Sequence, residues 1–556
     1  MKFRLVPVLV AVLVGLCAGP AAAQDPPVED TTAVQDTTAV QDTEAAIVET
    51  TDGRVEGVVD TSGLEVYKGI PYAAPPTGPR RWRPPQPVEG WTGIRAADRF
   101  GPRCMQPRPY GDMIFRSEGM SEDCLYLNVW TPEAERDAGR PVLVYFYGGG
   151  FQAGDGSEPR YDGASMAREG VVVVTLNYRL GVFGFLAHPA LTAEAPDSAS
   201  GNYGLLDQQR ALEWVQQNIR AFGGDPQQVT IAGESAGSMS VSAHMAAPGS
   251  DGLFARAIGE SGAVLGANPL PSRARAEQSG VRFAEQVGAD SLRALRALSA
   301  SRLLERAARP SAPRFGPAVD GRFLPTPPSD VYAAGEQADV PLLVGWNSEE
   351  STYRALTGDR PPTPAVYAEA VRERFGDRAD RVLELYPADT WQAVLQAGTA
   401  LAGDRFIGFG TWKWSETHRR TGAPVYRYFY THPRPPMRPG AGNDVPGLAG
   451  APDAPRHVQP PRGAVHSAEI EYALGNLETN DIYAWTPADR TVSRLLKGYF
   501  ADFIKTGTPN GGERPEWPAA GTDGRATVLE IDETPEARPE QHRERYLFWD
   551  EGSQQQ

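Results

Sequence analysis

The sequence has little cysteine, little histidine and a deficit of positive charge. Only three of its 556 residues are cysteine and seven are histidine. Lys and Arg number 54 against 70 Asp and Glu, which gives a formal net charge of −16 at pH 7. Binding to nucleic acid or to an anionic membrane surface requires clustered Lys and Arg to meet the phosphates. The acidic balance therefore argues against both partners, and we predict no nucleic-acid binding.

Long apolar runs are also scarce. The apolar stretch at residues 5–16 is shorter than the roughly 20 residues that a helix needs to cross a bilayer. It follows Lys2 and Arg4 and precedes three alanines at 21–23, which is the order of a secretory signal peptide. Residues 1–23 are therefore predicted to be a cleavable signal peptide, with a membrane anchor as the alternative. The mature protein is expected to be secreted or periplasmic, without a stable membrane span.

The residues after this leader are polar, acidic and repetitive. The hexapeptide TTAVQD at 31–36 recurs at 37–42. Such a stretch cannot bury enough apolar surface to offset its ordering entropy. We predict a disordered acidic linker over residues 24–45, one large domain over 46–549 and a polar tail over 550–556.

Two cysteines remain once the predicted signal peptide, with Cys17, is removed. Cys104 and Cys124 lie 20 residues apart. In an exported protein such a pair is most simply one disulfide. A metal site would need more soft ligands than the chain offers nearby. We predict a disulfide, and neither a metal nor a cofactor.

Apolar runs rich in β-branched and aromatic residues alternate with helix-like segments after residue 46. These runs are typical of strands buried on both faces, and they lie at 142–147, 171–178, 229–232, 342–344 and 425–430. Between them, residues 205–222 repeat apolar side chains at helical spacing. Strands that alternate with helices predict an α/β domain, with a large, mostly parallel central sheet flanked by helices.

A serine pentapeptide follows one of these predicted strands. Residues 233–237 read GESAG, after the strand at 229–232 and before a helix-like run at 238–247. The glycines permit a sharp strand-to-helix turn that exposes the hydroxyl of Ser235. The N-terminus of the following helix would favour a developing negative charge beside it. Ser235 is therefore the candidate nucleophile.

A nucleophilic serine needs an oxyanion hole. Three glycines at 148–150 directly follow the predicted strand at 142–147. Glycine lets the backbone approach a substrate closely and direct N–H donors at its carbonyl oxygen. We interpret this segment as the oxyanion hole, with an ordinary flexible turn as the alternative.

The serine also needs a base and an acid that orients it. The candidate bases are the seven histidines: His188, His244, His418, His432, His457, His466 and His542. The chain order Ser, acid, His of α/β-hydrolases requires a late histidine, and His466 fits. His244 would lie within the helix after the pentapeptide, and His542 lies in a charged tail. The acid should follow a central strand, and the run at 342–344 leads to Glu349 and Glu350, either of which could serve.

The chain resembles the type B carboxylesterases, the family of para-nitrobenzyl esterases, animal carboxylesterases and cholinesterases. The matching stretches are YKGIPYA at 67–73, EDCLYLNV at 122–129, YGGGF at 147–151, NYGLLDQ at 202–208, FGGDP at 222–226 and FIKTGTPN at 503–510. The resemblance covers about residues 46–549. It implies an α/β-hydrolase fold and a serine carboxylesterase that hydrolyses carboxylic esters through an acyl-enzyme intermediate. Together with the predicted signal peptide, this makes an exported serine carboxylesterase the expected function.

The resemblance also implies roles for single residues. Ser235 matches the family nucleophile, His466 the base and Glu350 the acid. Glu350 is preferred over Glu349 because the family acid precedes a small residue, here Ser351 in place of the commoner glycine.

Residues around this triad match the family as well. The backbone N–H groups that match the family oxyanion hole belong to Gly149, Gly150 and Ala236. Cys104 and Cys124 match its N-terminal disulfide. Ser261 resembles a serine near the triad, although Glu260 stands where the family usually has glutamine.

The implied partner is a small-molecule ester, and we expect a monomer or a weak homodimer. Cholinesterases bind the quaternary ammonium group with a tryptophan between the two cysteines. Residues 105–123 contain no tryptophan, which argues against a choline ester. Two alternatives stay open: a hydrolase specialised for one natural ester (a lipid, polyester, carbamate or toxin), or a non-catalytic cholinesterase-like binding protein.

One segment disfavours regular structure. Residues 433–463 contain 14 Pro or Gly among 31, which predicts a long loop ending three residues before His466. This loop could overhang the pocket and set a substrate preference. A solvated surface loop is the alternative.

Overall fold

The computed structural model describes residues 45–108, 110–132, 138–438, 462–521 and 526–553. The predicted signal peptide lies outside these residues, as does the predicted linker except for Ala45. Most of the Pro/Gly-rich segment, residues 439–461, and the last three residues of the predicted tail lie outside them too.

The strands are numbered here in chain order. They are β1 Ala45–Thr50, β2 Gly53–Val59, β3 Glu65–Pro71, β4 Ile94–Ala96, β5 Arg103–Cys104, β6 Met120–Ser121, β7 Tyr126–Thr131, β8 Arg140–Phe146, β9 Val172–Leu176, β10 Gly224–Glu234, β11 Arg256–Glu260, β12 Leu342–Asn347, β13 Val425–Tyr430, β14 Thr527–Ile531 and β15 Glu536–Pro539.

The α-helices are numbered in the same way. They are α1 Ala164–Ala167, α2 Gly181–Phe185, α3 Pro189–Glu194, α4 Tyr203–Asn218, α5 Ala236–Met245, α6 Arg273–Val287, α7 Leu292–Ala297, α8 Ala300–Ala307, α9 Pro328–Ala334, α10 Arg354–Thr357, α11 Pro364–Phe375, α12 Ala379–Leu385, α13 Trp391–Gly403, α14 Phe409–His418, α15 Ile470–Ala473, α16 Pro487–Thr506 and α17 Arg543–Ser553. Short 3₁₀ turns lie at Gly78–Arg80, Pro159–Tyr161, Ile219–Phe222, Pro248–Ser250, Gly376–Arg378 and Leu477–Thr479, and a π-helical turn spans Asp404–Gly408.

One large sheet organises these elements. Its strand order is β1-β2-β3-β7-β9-β8-β10-β11-β12-β13-β14-β15, with β4 beside β2. Seven strands in its centre run parallel to one another, in the order β9, β8, β10, β11, β12, β13 and β14. At the two ends of this parallel part, β7 pairs antiparallel with β9 and β15 pairs antiparallel with β14. The helices flank this sheet, so the predicted α/β-hydrolase fold with a mostly parallel centre is confirmed.

The strands predicted from apolar runs all form. Every residue of β9 is buried, as expected for a central strand covered on both faces. The predicted helix at 205–222 forms as α4 followed by the turn Ile219–Phe222, and it ends where Gly223 adopts a left-handed φ of 80°. In the described ranges, no helix is both long and apolar enough to cross a membrane.

The parallel centre brings the carboxyl ends of its strands to one edge of the sheet. Glu234 at the end of β10 pairs in register with Glu260 at the end of β11, and Glu260 pairs with Gly345 in β12. Ligands of open α/β sheets bind at this edge. The segments that follow these strands carry the predicted serine and the predicted acid, so the fold places both on the same side.

Candidate active site

Ser235 occupies a strained turn between β10 and α5. It has φ of 55° and ψ of −117°, a conformation that side-chain-bearing residues rarely adopt. Its backbone N–H donates to Glu260 O at 2.8 Å, which fixes the turn against β11. The turn also needs Gly237, because a Cβ there would lie 2.0 Å from Phe146 O. The predicted sharp turn is therefore present, and the hydroxyl of Ser235 faces the cavity described below.

His466 lies between Ser235 and Glu350. Its Nε2 is 3.0 Å from Ser235 Oγ, and its Nδ1 is 2.6 Å from Glu350 Oε2. With the Nδ1–H donating to the carboxylate, Nε2 is left free to accept the serine proton. Ser235 and His466 are 231 residues apart, and Glu350 and His466 are 116 apart, so only the tertiary structure joins them.

The two candidate acids have different surroundings. Glu350 is buried, and its Oε1 accepts hydrogen bonds from Asn347 N and Ser261 Oγ, both at 2.6 Å. Glu349 instead accepts from the backbone N–H of Arg462 at 3.1 Å. The structure thus places Glu350 against the imidazole. Ser261, which also follows a central strand with a positive φ of 53°, lies behind that acid as the resemblance implies.

Two further carboxylates surround the histidine, and the sequence reasoning gave them no role. Glu234 Oε1 lies 3.3 Å from His466 Nε2. Glu469 accepts from Asn347 Nδ2 at 2.5 Å, and its Oε1 lies 3.1 Å from Ser261 Oγ. Glu234 fills a variable position of the pentapeptide, and Glu469 is an acidic residue three positions after His466, so neither carries a signal that distinguishes it along the chain.

Burial and charge displace the pKa values of this cluster in a consistent way. Burial would lower the pKa of His466, but Glu234, Glu350 and Glu469 raise it to about 10. Burial raises the pKa of Glu234 to about 8, against the opposing effect of His466. Burial, together with Glu350, raises the pKa of Glu469 to about 7. Negative charge around the imidazole therefore favours its protonated form.

The predicted oxyanion-hole residues meet around Ser235. Gly149 and Gly150 have positive φ values of 106° and 63°, and a Cβ at Gly148 would lie 3.2 Å from Ser235 Cβ. Ala236 is the first residue of α5, where the N–H groups have no partner within the helix. Among the described residues, the backbone N–H groups of Gly149, Gly150 and Ala236 donate no hydrogen bond within the protein. These donors are available to a ligand oxygen beside Ser235.

A cavity of about 1270 Å³ opens onto this arrangement. Its lining includes Ser235, His466 and the candidate oxyanion hole, together with Tyr110 and Met113. The ring of Phe406, in the π-helical turn, packs edge-on against His466 with centroids 5.1 Å apart. The volume suits a ligand larger than a simple short-chain ester.

Other histidines lie away from Ser235. His188 accepts from the N–H of Ala190 at the start of α3. His244 is fully buried in α5 between Ser250 and Gln208, and burial lowers its pKa to about 3. His457 falls outside the described residues. In the part of the chain that the structure covers, no group of His, Cys, Asp and Glu is arranged to hold a metal ion.

The predicted disulfide is present. Cys104 and Cys124 are joined with an S–S distance of 2.06 Å and a Cα–Cα distance of 5.0 Å. The loop that it closes carries Tyr110 and Met113 to the cavity. The disulfide therefore ties one wall of the cavity to the sheet next to β7.

Comparison with known proteins agrees with this fold and site. Residues 44–549 match the model of the carboxylesterase family. The chain is 38% identical to the fumonisin B1 esterase of Sphingopyxis macrogoltabida, covering 84% of this chain and 83% of that protein. It is 34% identical to the para-nitrobenzyl esterase of Bacillus subtilis, covering 91% and 99%. The solved structure of the Geobacillus stearothermophilus carboxylesterase EST55 at pH 6.2 gives a TM-score of 0.75 at 32% identity, covering 90% of this chain and 99% of that chain.

The chain belongs to the carboxylesterase family. It is a carboxylic ester hydrolase, and the resemblance to para-nitrobenzyl esterases and cholinesterases is confirmed.

Proposed function

We propose that Ser235, His466 and Glu350 form the catalytic triad of an exported serine carboxylesterase. The observation that carries this proposal is the pair of contacts to one imidazole: Ser235 Oγ at Nε2 and Glu350 Oε2 at Nδ1. The alternative acid, Glu349, makes no such contact. Gly149, Gly150 and Ala236 supply the oxyanion hole, and the substrate is a small-molecule ester.

Acylation is the first half of the reaction. His466 Nε2 takes the proton of the Ser235 hydroxyl as its oxygen bonds to the ester carbonyl carbon. The carbonyl oxygen becomes an oxyanion, which the three backbone N–H groups stabilise. When the tetrahedral intermediate collapses, the bond to the alcohol oxygen breaks, and His466 returns its proton to the leaving alcohol. Glu350 holds the imidazole and offsets its transient charge.

Deacylation repeats these steps with water. His466 takes one proton from water as the water oxygen attacks the acyl carbon of Ser235. When the second tetrahedral intermediate collapses, the bond between the acyl carbon and Ser235 Oγ breaks, His466 returns its proton to that oxygen, and the carboxylic acid is released. No group outside the chain is consumed except water, so this mechanism needs no cofactor.

The test is Ser235→Ala with a matched control, Ser329→Ala, at an exposed serine of α9 outside the cavity. Ser235→Ala should abolish hydrolysis of short p-nitrophenyl esters with an unchanged circular dichroism spectrum, and the control should keep full activity. An organophosphate should label the wild type with one group per chain, and peptide mass mapping should locate that group on Ser235. Near-normal turnover by Ser235→Ala would refute the assignment, and the absence of labelling in folded protein would favour a non-catalytic binding protein.

Export is a separate part of the proposal. The disulfide between Cys104 and Cys124 supports an oxidising compartment. Residues 1–23 would then be removed, and the mature chain would begin at Gln24. N-terminal sequencing of protein recovered from the culture medium or the periplasm tests this, and a chain that keeps residues 1–23 would contradict it.

A second candidate is a hydrolase specialised for one natural ester. The size of the cavity and the 38% identity to a fumonisin B1 esterase favour it. An ester panel that includes fumonisin B1, lipid, polyester and carbamate substrates tests this candidate. A kcat/KM for one member far above that for simple esters would support it, whereas a flat profile would favour a general carboxylesterase.

A further inference from the structure

Three exposed arginines line the cavity that contains Ser235: Arg275, Arg282 and Arg314. Three arginines close to them in the sequence are paired with acids, namely Arg296 with Glu194, Arg309 with Glu305 and Arg322 with Asp197. In the described part of the chain, Arg275, Arg282 and Arg314 form no ion pair, whereas the buried arginine of the cavity lining, Arg160, is paired with acids. The three guanidinium groups are therefore left to meet a ligand in the cavity.

Arg275 and Arg282 project from one side of α6. They lie seven residues apart, two helical turns, with Ser279 between them on the same face. Arg282 Nη2 donates to Ser279 Oγ at 2.9 Å. The rest of the helix is packed against the core, because Phe283 beside this row is fully buried and a Cβ at Gly280, on the far side, would lie 1.9 Å from Ala187 O. The helix cannot rotate, so this row stays directed at the cavity.

Arg314 lies beside the candidate oxyanion hole. Its Nη2 lies 3.4 Å from Gly150 O, beside the candidate oxyanion hole. The loop that carries it is anchored at the next residue, because Phe315 O accepts from Gln152 Nε2 at 2.6 Å and the Phe315 ring packs edge-on against Phe283. The guanidinium is thus held near a bound ester rather than left at the end of a free loop.

The acids that line the cavity already have partners. Asp112 contacts Arg160 at 3.2 Å, and Arg160 also contacts Glu158 at 2.8 Å. Glu234 faces His466. The cavity arginines therefore create a local excess of positive charge in a chain whose formal net charge is −16. A guanidinium presents parallel N–H donors that match the two oxygens of a carboxylate.

We propose that the ester substrate carries a free carboxylate, which Arg314 binds beside the oxyanion hole while Arg275 and Arg282 attract the anion at the mouth of the cavity. This inference rests on the proposed function of Ser235. The carboxylate could belong to the acyl part or to the alcohol part of the ester. The two sources share one chemistry, and separate substrates distinguish them.

The test uses pairs of esters matched in length. Monoethyl adipate against ethyl heptanoate places the carboxylate on the acyl side, and 4-acetoxybenzoate against 4-methylphenyl acetate places it on the alcohol side. The readout is the ratio of kcat/KM for the anionic ester to kcat/KM for its neutral partner. In at least one pair this ratio should be ~10 or more for the wild type, which is the preference that one charge-assisted hydrogen bond provides.

The arginine variants separate binding from bulk charge. Arg314→Ala should lower that ratio ~10–100-fold, and Arg314→Lys should restore part of it, since a single ammonium keeps the charge but loses the paired donors. Added salt screens the attraction between exposed charges, so the wild-type ratio should decrease as the salt concentration rises. The double variant R275A/R282A should have a lower ratio, and that ratio should depend much less on salt. Arg293→Ala, an exposed arginine of α7 outside the cavity, is the control and should leave both rates unchanged.

Two results would overturn the inference: a wild type that prefers the neutral ester in both pairs, or a ratio that Arg314→Ala and R275A/R282A leave unchanged. These results differ from a failure of the proposed function. If Ser235→Ala still hydrolyses the neutral esters, the triad is wrong. If Ser235→Ala is inactive but the wild type shows no anionic preference, only the carboxylate site is wrong.

Discussion

Glu234 and Ser235 both face the same nitrogen of His466. Glu234 Oε1 lies 3.3 Å from Nε2, and Ser235 Oγ lies 3.0 Å from it. Within the described residues, that Glu234 oxygen has no hydrogen-bond partner. The carboxylate next to the nucleophile along the chain therefore acts on the base across the site, through its charge.

This relationship predicts the pH dependence of hydrolysis. Below its pKa, His466 is protonated and cannot take the Ser235 proton, so activity falls as the pH falls through that pKa. An unperturbed imidazole would place this fall near a pH of about 6.5. Because the neighbouring carboxylates raise the pKa of His466, we expect the fall in kcat/KM at higher pH. Glu234→Gln removes one of these charges and should move the fall to lower pH.

The measurement is the pH profile of kcat/KM for a neutral ester in the wild type and Glu234→Gln. Glu336→Gln, an exposed carboxylate at the end of α9, is the matched control and should reproduce the wild-type profile. An unchanged profile for Glu234→Gln, or one displaced to higher pH, would show that this carboxylate does not act on His466.

Ser261 is predicted to position the acid. Its hydroxyl donates to Glu350 Oε1 at 2.6 Å, so Ser261→Ala leaves that oxygen with one hydrogen bond fewer. A hydrogen bond to a charged group contributes about 2 kcal/mol, and we expect kcat to fall ~10-fold or more. KM should change little, because Ser261 does not line the cavity. A rise in KM at constant kcat would contradict a positioning role, and Ser329→Ala controls for the loss of a hydroxyl as such.

Gly237 is predicted to be essential to the turn at Ser235. A Cβ at this position would lie 2.0 Å from Phe146 O and 2.9 Å from Phe146 C in β8, both backbone atoms of a central strand. Gly237→Ala should lower the free energy of unfolding by about 3 kcal/mol, as overpacking of a tight interior does. Gly266→Ala is the control, since its Cβ would meet nothing within 4 Å. Equal stability of the two variants in urea unfolding would refute the prediction.

The disulfide is predicted to stabilise the fold and one cavity wall together. It closes a loop of 20 residues, for which the loss of chain entropy in the unfolded state corresponds to about 3 kcal/mol. The double variant C104S/C124S should therefore unfold at a lower denaturant concentration than the wild type. Its kcat/KM should also fall, because Tyr110 and Met113 lie in that loop.

A reducing agent provides the internal control for this prediction. It should destabilise the wild type to the level of C104S/C124S and leave the double variant unchanged. A wild type whose stability does not respond to full reduction would show that the bond contributes nothing.

Much of the architecture could be predicted from the sequence. Strands such as β9 and β13 were predictable because their side chains are buried on both faces, which requires an unbroken apolar run. The end of the helical segment after α4 was predictable in the same local sense, since Gly223 takes a left-handed conformation there. The predicted run at 229–232 is shorter than β10, which also includes residues 224–228. The register against β8 shifts within these residues, and they do not form an apolar run that would predict a strand.

The candidate site could be predicted only in part from the sequence. The pentapeptide and the three glycines identified Ser235 and the loop beside it, because the turn and the close approach demand glycine at set positions. The choice between Glu349 and Glu350 rested on resemblance, and the structure separates them by which carboxylate reaches the imidazole. Residues 439–461, for which the sequence suggested a role over the pocket, lie outside the described residues, so that role stays a prediction.

Residue order alone determined the elements, the turn at Ser235 and the likeness to a family, because hydrophobic periodicity and glycine placement are local constraints. Tertiary structure alone decided that Ser235, Glu350 and His466 meet, that Glu234 and Glu469 are buried beside them, and that three arginines share their cavity. The reason is physical: burial and charge environment depend on which segments the sheet register and helix packing bring together, and residues more than a hundred positions apart leave no local trace of that encounter.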